Sequence, residues 1–551
     1  MEKGNERISA TNITMPISIE SMRNYLKIKK VSNMRYLLVV FILIGYMAGC
    51  KIKSTNTNVE KPNIVFILAD DLGYGDLSCY GATMVSTPNI DRIAENGMIF
   101  RNAYSPHSVC TPTRYSLMTG RYAWRTWNGH ETVWANDPLL IDTSRMTLPR
   151  MLQNMGYQTA IIGKWHLGFG APGTPGWDDQ KGPDYNKELK PGPLEVGFDY
   201  FYGIPHVGQQ PHMFIENHRV VGLGKNDSMQ IILDKRYINR PSYEDRGNMP
   251  PAHKFVGYDS ARYQHEDVAI KITQKAVHWI DSRNEEPFFL YFAHRNVHTP
   301  HKPNPRFAGT SEIGVYGDFL NELDWSVGEI LNALERNGLS DNSIIFFASD
   351  NGGVKDYKDS KIIDYNGHKP NGPFFGQKTE VYEGGTHIPL IVKWPGNFKS
   401  GESEKIVALT DVYATLGELN NQSLTWNEAE DSFSFLSELL GKKSVLPERK
   451  NVVTDSKSGV FAIREGKWKF IAGQGGGGAN WNFEEHIRMD THEWNYKIDF
   501  DNPPGQLYNL ETDPGETTNL YCSHPEIVTK LRSQLREIQY SGRSRYKHIN
   551  F

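Results

Sequence analysis

Two pairs of oxygen-bearing side chains each follow an apolar run that has the length of a β-strand. Asp70 and Asp71 form the first pair, and Asp350 and Asn351 form the second, much further along the chain. Adjacent carboxylates repel one another unless a cation lies between them, and oxygen ligands favour Ca²⁺ or Mg²⁺ over zinc. Because α/β proteins bind ligands at the carboxyl ends of buried strands, the recurrence predicts one shared site for a divalent metal ion.

A cysteine and an arginine lie one helical turn apart in the segment SVCTPTRYSLMTGR, residues 108–121. Pro112 is compatible with the first turn of a helix, and Arg114 follows Cys110 by four residues, which places both on one face. A helix N-terminus and a guanidinium would then face an anion at position 110. The spacing predicts a cradle for a sulfate or for a metal-bound group. A buried structural cysteine is the alternative.

The pattern Cys-x-Pro-x-Arg followed by Leu-x-Thr-Gly-Arg resembles the active-site segment of the type I sulfatases, the formylglycine-dependent arylsulfatase family. In that family a maturation enzyme oxidises the cysteine to an aldehyde, formylglycine, whose hydrate attacks the sulfur of a sulfate ester. The resemblance therefore implies a formylglycine made from Cys110 and one calcium ion. The implied ligands of the calcium ion are Asp70, Asp71, oxidised Cys110, Asp350 and Asn351.

Two lysines and a histidine match further motifs of this family, in the family's order. Gly-Lys-Trp-His-x-Gly follows the predicted strand Gln158–Ile162, and the resemblance implies that Lys164 binds sulfate and that His166 acts on the formylglycine hydroxyl. Residues two apart at a strand end point to the same side, so we expect both side chains to face one pocket. Gly-x-Lys and Glu-Gly-Gly segments imply that Lys378 bridges the sulfate and the leaving oxygen, and Arg114 is implied to take up sulfate charge with the lysines.

A histidine-rich segment follows the predicted buried strand Pro287–Phe292. Histidine is suited to proton transfer near neutral pH, and the resemblance implies that His298 protonates the leaving alcohol. His294 and His301 are close rivals for this role. The resemblance also implies that Asp350 helps to deprotonate the attacking hydroxyl.

An irregular segment from Pro205 to Lys254 is rich in histidine, glutamine and proline. Insertions of this kind often line the substrate pocket of a rigid scaffold. Ordinary loop polarity is the alternative. The candidate sugar contacts are His206, Gln209, Gln210 and His212.

The N-terminal residues 1–50 have the features of a lipoprotein signal peptide. A basic residue precedes the apolar run Tyr36–Met47, and the sequence Ala-Gly-Cys then ends at Cys50. The run is shorter than the ~20 residues of a membrane span, and its end resembles a bacterial lipobox. We expect lipidation of Cys50, a flexible tether over residues 51–61, and a protein anchored to a bacterial membrane in the periplasm or at the cell surface. An ordinary signal peptide is the alternative.

Length and charge restrict the remaining possibilities. The chain has 551 residues, more than one domain usually contains, and its net charge of −4 provides no basic surface for nucleic acid. Cys79 and Cys522 could form a disulfide in an oxidising compartment, which the sequence does not determine.

The order of apolar runs and amphipathic segments predicts an α/β protein. The resemblance implies an alkaline-phosphatase-like mixed sheet sandwiched by helices, with a smaller C-terminal α+β domain. The predicted helices include Asp259–Ser282, Phe319–Leu334 and Pro525–Tyr540. The expected parts are the N-terminal extension and signal peptide at 1–50, a linker at 51–61, a catalytic domain at 62–445 and the C-terminal domain, with a small antiparallel sheet and a helix, at 446–551.

These features favour hydrolysis of sulfate esters on sulfated glycans, such as fragments of glycosaminoglycans or algal polysaccharides. The expected partners are that carbohydrate, the formylglycine-generating enzyme and a membrane reached by the lipid anchor. A phosphodiesterase or phosphatase of the same superfamily is one alternative, but such enzymes usually use threonine or serine with two zinc ions. A glycan-binding lipoprotein without activity is the other, although every matched catalytic position is present.

Overall fold

The computed structural model describes residues 61–208, 210–233, 253–283, 286–355, 365–444, 446–478 and 502–545. Cys50 and the rest of the N-terminal segment lie outside these residues, as does Gln209. In the described part, the strands in chain order are β1 (Asn63–Ala69), β2 (Met98–Tyr104), β3 (Gln158–Lys164), β4 (Trp177–Asp178), β5 (Gly182–Pro183), β6 (Tyr200–Ile204), β7 (Ile215–Glu216), β8 (Arg219–Val220), β9 (Gln230–Leu233), β10 (His253–Val256), β11 (Phe288–Ala293), β12 (Ser343–Ser349), β13 (His387–Lys393), β14 (Gly401–Ala408), β15 (Asn451–Asp455), β16 (Phe461–Glu465), β17 (Trp468–Ile471) and β18 (Gln506–Asn509).

The α-helices of the described residues are α1 (Pro88–Ala94), α2 (Cys110–Thr119), α3 (Leu148–Asn154), α4 (Val268–Asp281), α5 (Val315–Arg336), α6 (Glu383–Thr386), α7 (Asp411–Leu419), α8 (Leu436–Leu440) and α9 (Pro525–Tyr540).

The main sheet has β1 near its centre. Its strand order is β14-β2-β13-β12-β1-β11-β3-β6-β7-β8 among the described residues. β1 pairs in parallel with both β11 and β12, and β3 continues the parallel set beyond β11. β13 is antiparallel to β12 and to β2, so the sheet is mixed, as expected.

Both faces of this sheet are covered by helices, which explains the continuous apolar run of β1. Ile64, Phe66 and Leu68 belong to one core cluster, which includes residues of α2, α3 and α7. Val65 and Ile67 belong to the opposite cluster, which includes residues of α1, α4 and α5. Strands buried on both faces need apolar side chains at successive positions, and the predicted α/β sandwich is confirmed.

A smaller antiparallel sheet follows in the C-terminal part of the chain, with the strand order β15-β16-β17-β18. Helix α9 packs on it through Val528, Leu531, Leu535 and Ile538. The expected small C-terminal sheet with its helix is therefore present. The described residues from Lys61 onward cluster as one compact unit, and the boundary at residue 445 stays a prediction.

The structure differs from the sequence-based expectation in the extent of several elements. The helix expected over Asp259–Ser282 begins only at Val268, because the apolar spacing of a helix starts there and two short 3₁₀ turns precede it. The segment expected to be irregular contains short paired strands from β7 to β10. The edge strand β14 was not predicted, since its exposed positions carry the charges that protect an edge from pairing.

None of the helices described is long and apolar enough to cross a membrane. Cys79 and Cys522 are both free thiols and do not form a disulfide with each other.

Candidate active site

The two oxygen-bearing pairs meet at the carboxyl ends of neighbouring strands. β1 and β12 lie in parallel register with Ala69 opposite Ser349, so the residues that follow each strand are brought side by side. The backbone N–H of Asp71 donates to Oδ1 of Asp350 over 3.2 Å, and Nδ2 of Asn351 donates to Oδ1 of Asp71 over 2.9 Å. The expected convergence of Asp70 and Asp71 with Asp350 and Asn351 is confirmed.

Cys110 is the first residue of α2 and is buried beside these carboxylates. Its Sγ and carboxylate oxygens of Asp70 and Asp350 all lie within 4.8 Å of one another. Arg114 lies one turn along the helix, with Nε and Nη2 donating to Oδ2 of Asp350 over 3.0 and 2.7 Å. The predicted helix begins at Cys110, and the spacing argument that places Cys110 and Arg114 together holds.

Two lysine ammonium groups from separate segments of the chain enter the same site. Nζ of Lys164, at the end of β3, donates to both carboxylate oxygens of Asp70 over 2.8 Å. Nζ of Lys378 donates to Oδ2 of Asp71 over 2.8 Å. With Arg114, the lysines surround the carboxylates with three buried cations, which are suited to hold an anionic substrate group.

Glycine is required directly before Lys164. Gly163 has φ of +122°, and a Cβ atom there would lie 1.9 Å from the carbonyl oxygen of Ala293 on the adjacent strand β11. A larger residue would push β3 away from β11. The glycine of the Gly-Lys-Trp-His motif thus permits the strand contact that places Lys164.

His166 reaches the site by a different route from the one expected. β3 ends at Lys164, and His166 adopts a left-handed conformation with φ of +60°. The argument from strand alternation was therefore wrong, because the strand does not extend to this residue. Its backbone N–H donates to Pro205 O, and its ring lies 6.1 Å from that of His206 between centroids.

His298 is the histidine of its segment that faces the carboxylates. Its Nε2 lies 3.7 Å from Oδ2 of Asp71, and its side chain is 15% exposed. His294 is engaged with the hydroxyl of Ser326. His301 is bonded to the carbonyl of Val297. The geometry thus favours His298 over both rivals for a role in proton transfer.

Burial and the neighbouring charges set the protonation of these groups. Burial and the charge of Asp70 raise the pKa of Asp350 to about 6, although Arg114 opposes them. The pKa of Asp71 lies well below its usual range. Burial alone would raise it, but the positive charges of Lys378 and His298 outweigh this effect. Burial, helped by Lys378, lowers the pKa of His298 well below its ordinary value.

The four candidate sugar contacts separate in the structure. His206 is buried beside His166, and burial together with Lys164 lowers its pKa to about 3. Oε1 of Gln210 accepts the N–H of Phe255, which gives this side chain a structural partner. The ring of His212 packs against that of His265, 4.5 Å away between centroids. Gln209 lies outside the described residues, so among the other three only His206 is placed against the site.

Oxygen donors dominate the group that could hold a metal ion. Oδ1 of Asn351 is buried and has no hydrogen-bond partner among the described residues. A buried amide oxygen of this kind is suited to a ligand that it can coordinate, and the carboxylates beside it supply hard oxygen atoms and negative charge. This donor set fits Ca²⁺ better than zinc.

Sequence reasoning missed a second polar cluster next to Cys110. His107, His130 and Asp455 place one ligand atom each within 4.8 Å of one another. Asp455 comes from β15, far from Cys110 in sequence, so no local motif joins the three. The one available signal was a histidine three residues before the cysteine.

Comparison with known proteins identifies the family. The sulfatase family model matches residues 62–421. An N-acetylgalactosamine-6-O-sulfatase of Bacteroides thetaiotaomicron is 38% identical over 530 residues, which cover 92% of this chain and 99% of that protein. Human arylsulfatase H is 31% identical over 70% of this chain and 74% of its own length.

Solved structures agree with this result. A Bacteroides thetaiotaomicron structure determined in work on the metabolism of multiple glycosaminoglycans is 39% identical, with a TM-score of 0.75, and covers 87% of this chain and 99% of that chain. The crystal structure of Ps i-CgsB in complex with k-i-k-neocarrahexaose, 24% identical, shares the fold with a TM-score of 0.62 over 88% of this chain and 94% of that chain. The protein therefore belongs to the sulfatase family, has its alkaline-phosphatase-like fold and is a sulfuric ester hydrolase.

Proposed function

We propose that this enzyme removes sulfate from a sulfated glycan by means of a formylglycine made from Cys110 and a calcium ion. The observation that carries the proposal is the meeting of Cys110 with Asp70 and Asp350 within 4.8 Å. Asp71 and Asn351 would complete the calcium ligands. Bound calcium and the oxidised cysteine would supply a Lewis acid and an oxygen nucleophile.

The remaining residues of the site are suited to bind and release the ester. Lys164, Lys378 and Arg114 are buried and would present positive charge to sulfate oxygens, and such interactions are stronger in a buried site than in water. Asp350 lies against Cys110 and can accept a proton there. His166 is the proposed base for the release of sulfate, and the neutral imidazole of His206 can bond a sugar hydroxyl as donor or acceptor.

His298 is the proposed donor of a proton to the leaving alcohol. Burial and Lys378 lower its pKa in the free enzyme. The negative charge of a bound sulfate ester favours the protonated imidazole and works against this effect. Substrate binding is therefore expected to favour protonation of His298, which then donates this proton to the leaving alcohol.

The first substrate to test is an N-acetylgalactosamine 6-sulfate, because the relative with 38% identity is an N-acetylgalactosamine-6-O-sulfatase. We also propose that lipidation of Cys50 anchors the enzyme to a bacterial membrane, where glycan fragments are accessible. A Cys50→Ala variant is expected to move from the membrane fraction to the soluble fraction of its host.

The test of the proposed chemistry compares cysteine variants after co-expression with a formylglycine-generating enzyme. Wild type and Cys522→Ala are expected to release sulfate equally, since Cys522 is an exposed free thiol. Cys110→Ala is expected to lose all detectable release, and peptide mass spectrometry is expected to find an aldehyde at position 110 in the active proteins. Equal sulfate release by Cys110→Ala would overturn the assignment of the nucleophile.

The substrate is tested separately with the 6-sulfate and 4-sulfate esters of N-acetylgalactosamine. Release from the 6-sulfate alone supports the proposed position. Release from the 4-sulfate alone contradicts it and leaves the chemistry of Cys110 intact.

A further inference from the structure

The cluster of His107, His130 and Asp455 lies outside the residues that the family motifs identify. His107 and Asp455 are buried, and the side chain of His130 is 26% exposed. Nδ1 of His130 makes a short hydrogen bond to Oδ2 of Asp455. Nε2 of His107 lies 3.4 Å from the same oxygen.

A metal ion does not suit this cluster, although three ligand types are present. Nδ1 of His107 accepts the backbone N–H of Val109 over 3.0 Å. In a neutral imidazole the proton must then lie on Nε2, the atom that faces Asp455. A nitrogen that carries a proton cannot coordinate a metal ion, so the cluster is a carboxylate that is hydrogen-bonded to His130 and faced by Nε2 of His107.

Backbone hydrogen bonds join the end of β15, which carries Asp455, to the chain segments that carry Cys110 and Lys378. Ser108 N–H donates to Asp455 O over 3.0 Å, and Thr379 N–H donates to Ser108 O over 2.8 Å. Lys457 N–H then donates to Thr379 O over 3.0 Å, which closes a ring of three chain segments. Ser108 lies two residues before Cys110, and Thr379 directly follows Lys378.

The ring holds one residue in a strained conformation. Thr379 has φ of +79°, a region that β-branched residues rarely occupy. Its buried backbone is retained there by the hydrogen bonds to Ser108 and Lys457. Strain of this kind persists only where neighbouring contacts fix the backbone conformation. Here those contacts lead through Ser108 to β15 of the C-terminal sheet.

We propose that Asp455 is a positioning residue of the sulfatase reaction, which holds the backbone next to Cys110 and Lys378 from the C-terminal sheet. Its carboxylate acts through His107 and His130, and its carbonyl acts through the ring. The inference rests on the proposed function, because it takes Cys110 as the precursor of the nucleophile. It adds the C-terminal sheet to the parts of the chain that set the geometry of the reaction.

The protonation of Asp455 gives this role a dependence on pH. Burial raises the pKa of Asp455 to about 6, against the effect of His130. The groups that face it are His107 and His130, with Lys457 and Glu131 paired with each other over 2.7 Å at the edge of the cluster. The carboxylate is therefore charged above pH 6. As the pH falls below that value it becomes protonated, and its electrostatic attraction to the two histidines weakens.

The experiment compares Asp455→Asn with wild type on an aryl sulfate, with rates divided by the fraction of formylglycine at position 110. A control, Glu465→Gln, alters a carboxylate of the neighbouring strand β16, which pairs with Lys530. Asp455→Asn is expected to lower kcat about tenfold at pH 7.5 with KM little changed, since small misplacements of reacting groups cost this much or more. The ratio of the two kcat values is expected to shrink toward pH 5, and the control is expected to match wild type.

A second measurement is independent of activity. In protein made without the maturation enzyme, Asp455→Asn is expected to speed alkylation of Cys110, because the backbone around the thiol is held less firmly. A kcat ratio that is constant with pH together with unchanged alkylation would overturn the proposal. Loss of activity in Cys110→Ala with wild-type behaviour of Asp455→Asn would retain the proposed function and reject the positioning role, so the two failures are distinguishable.

Discussion

At the scale of single residues, the site is a compact arrangement of buried side chains of opposite charge. Three carboxylates and three cationic side chains are buried together around Cys110. Each lysine contacts one aspartate, whereas Arg114 contacts Asp350 and the carbonyl of Lys164. Removal of one partner leaves an uncompensated charge, so the members are expected to be sensitive to substitution.

Arg114→Lys tests whether the geometry of the guanidinium matters beyond its charge. Lysine keeps the positive charge but loses the fork that reaches Asp350 and the backbone of β3 at once. We expect kcat for sulfate release to fall on the order of a hundredfold, as for other removed donors of an anion site. Steady-state kinetics on modified protein measures the effect.

Arg145→Lys is the matched control, since Arg145 lies outside the active-site segment and its Nη1 is 3.0 Å from Glu430. We expect its kcat within about twofold of wild type, because partly exposed ion pairs contribute little. A similar loss in both variants would show that charge geometry at Arg114 has no special part in the reaction.

Most residues of the site could be predicted because short motifs carry them. Cys110 and Arg114 lie within one helical turn, and each pair of oxygen ligands ends one strand. The motif indicated His166, but the strand argument for its orientation was wrong, since its backbone is left-handed and its N–H donates to Pro205 O. Asp455 was not predictable, because its proximity to His107 arises only from the docking of a distant strand.

At the scale of elements, the parallel register of the central strands brings the ligands together. β1 and β12 are neighbours, so their terminal residues meet at one edge, whereas β3 contributes Lys164 from beyond β11. The apolar runs predicted these strands well, since each is buried on both faces. The polar edge strand β14 and the start of α4 were not predicted, because exposed alternation and short 3₁₀ turns leave weak patterns.

A buried charge network connects the two sheets. Nζ of Lys469 on β17 lies 2.9 Å from carboxylate oxygens of both Glu383 and Glu516. We expect Lys469→Met to reduce the free energy of unfolding by about 3–5 kcal/mol, because Glu383 and Glu516 lose the buried ammonium that they share. Denaturant unfolding at pH 8 measures the loss.

The pH dependence of that loss follows from Glu516. Burial raises its pKa to about 7 in the folded protein, against the effect of Lys469. Stability linked to its protonation is present below its unfolded pKa near 4.5 and is lost as the pH rises through 7. The deficit of Lys469→Met is therefore expected to be smaller at pH 5 than at pH 8.

Lys467→Met provides the matched control for this element, since the side chain of Lys467 is 46% exposed and its Nζ lies 3.5 Å from Glu511. We expect a change within about 0.5 kcal/mol. An equal loss in the two variants would contradict a special role for the buried network.

At the scale of the whole molecule, the proposed metal site lies where distant segments of the chain meet. An ion bound there stabilises the folded state and not the unfolded chain. We expect calcium at a hundredfold excess over its Kd to stabilise the protein by about 2.7 kcal/mol, seen as a rise in Tm against a chelator-treated sample. Asp70→Asn is expected to abolish the rise.

Asp455→Asn is expected to retain this response to calcium, since Asp455 lies outside the proposed ligands. An identical Tm with calcium and with chelator in the wild type would contradict the proposed metal site. A rise in Tm that persists in Asp70→Asn would place the ion elsewhere.

The closed ring of hydrogen bonds through Ser108, Thr379 and Asp455 has a consequence for any attempt to divide the enzyme. A chain that stops before β15 keeps every group proposed to touch sulfate or calcium, yet it lacks one of the three segments of the ring. This fragment and the C-terminal fragment that begins at β15 are each expected to be inactive when made separately. Their co-assembly is expected to restore sulfate release. The C-terminal sheet would thus serve as a switchable half of a split enzyme.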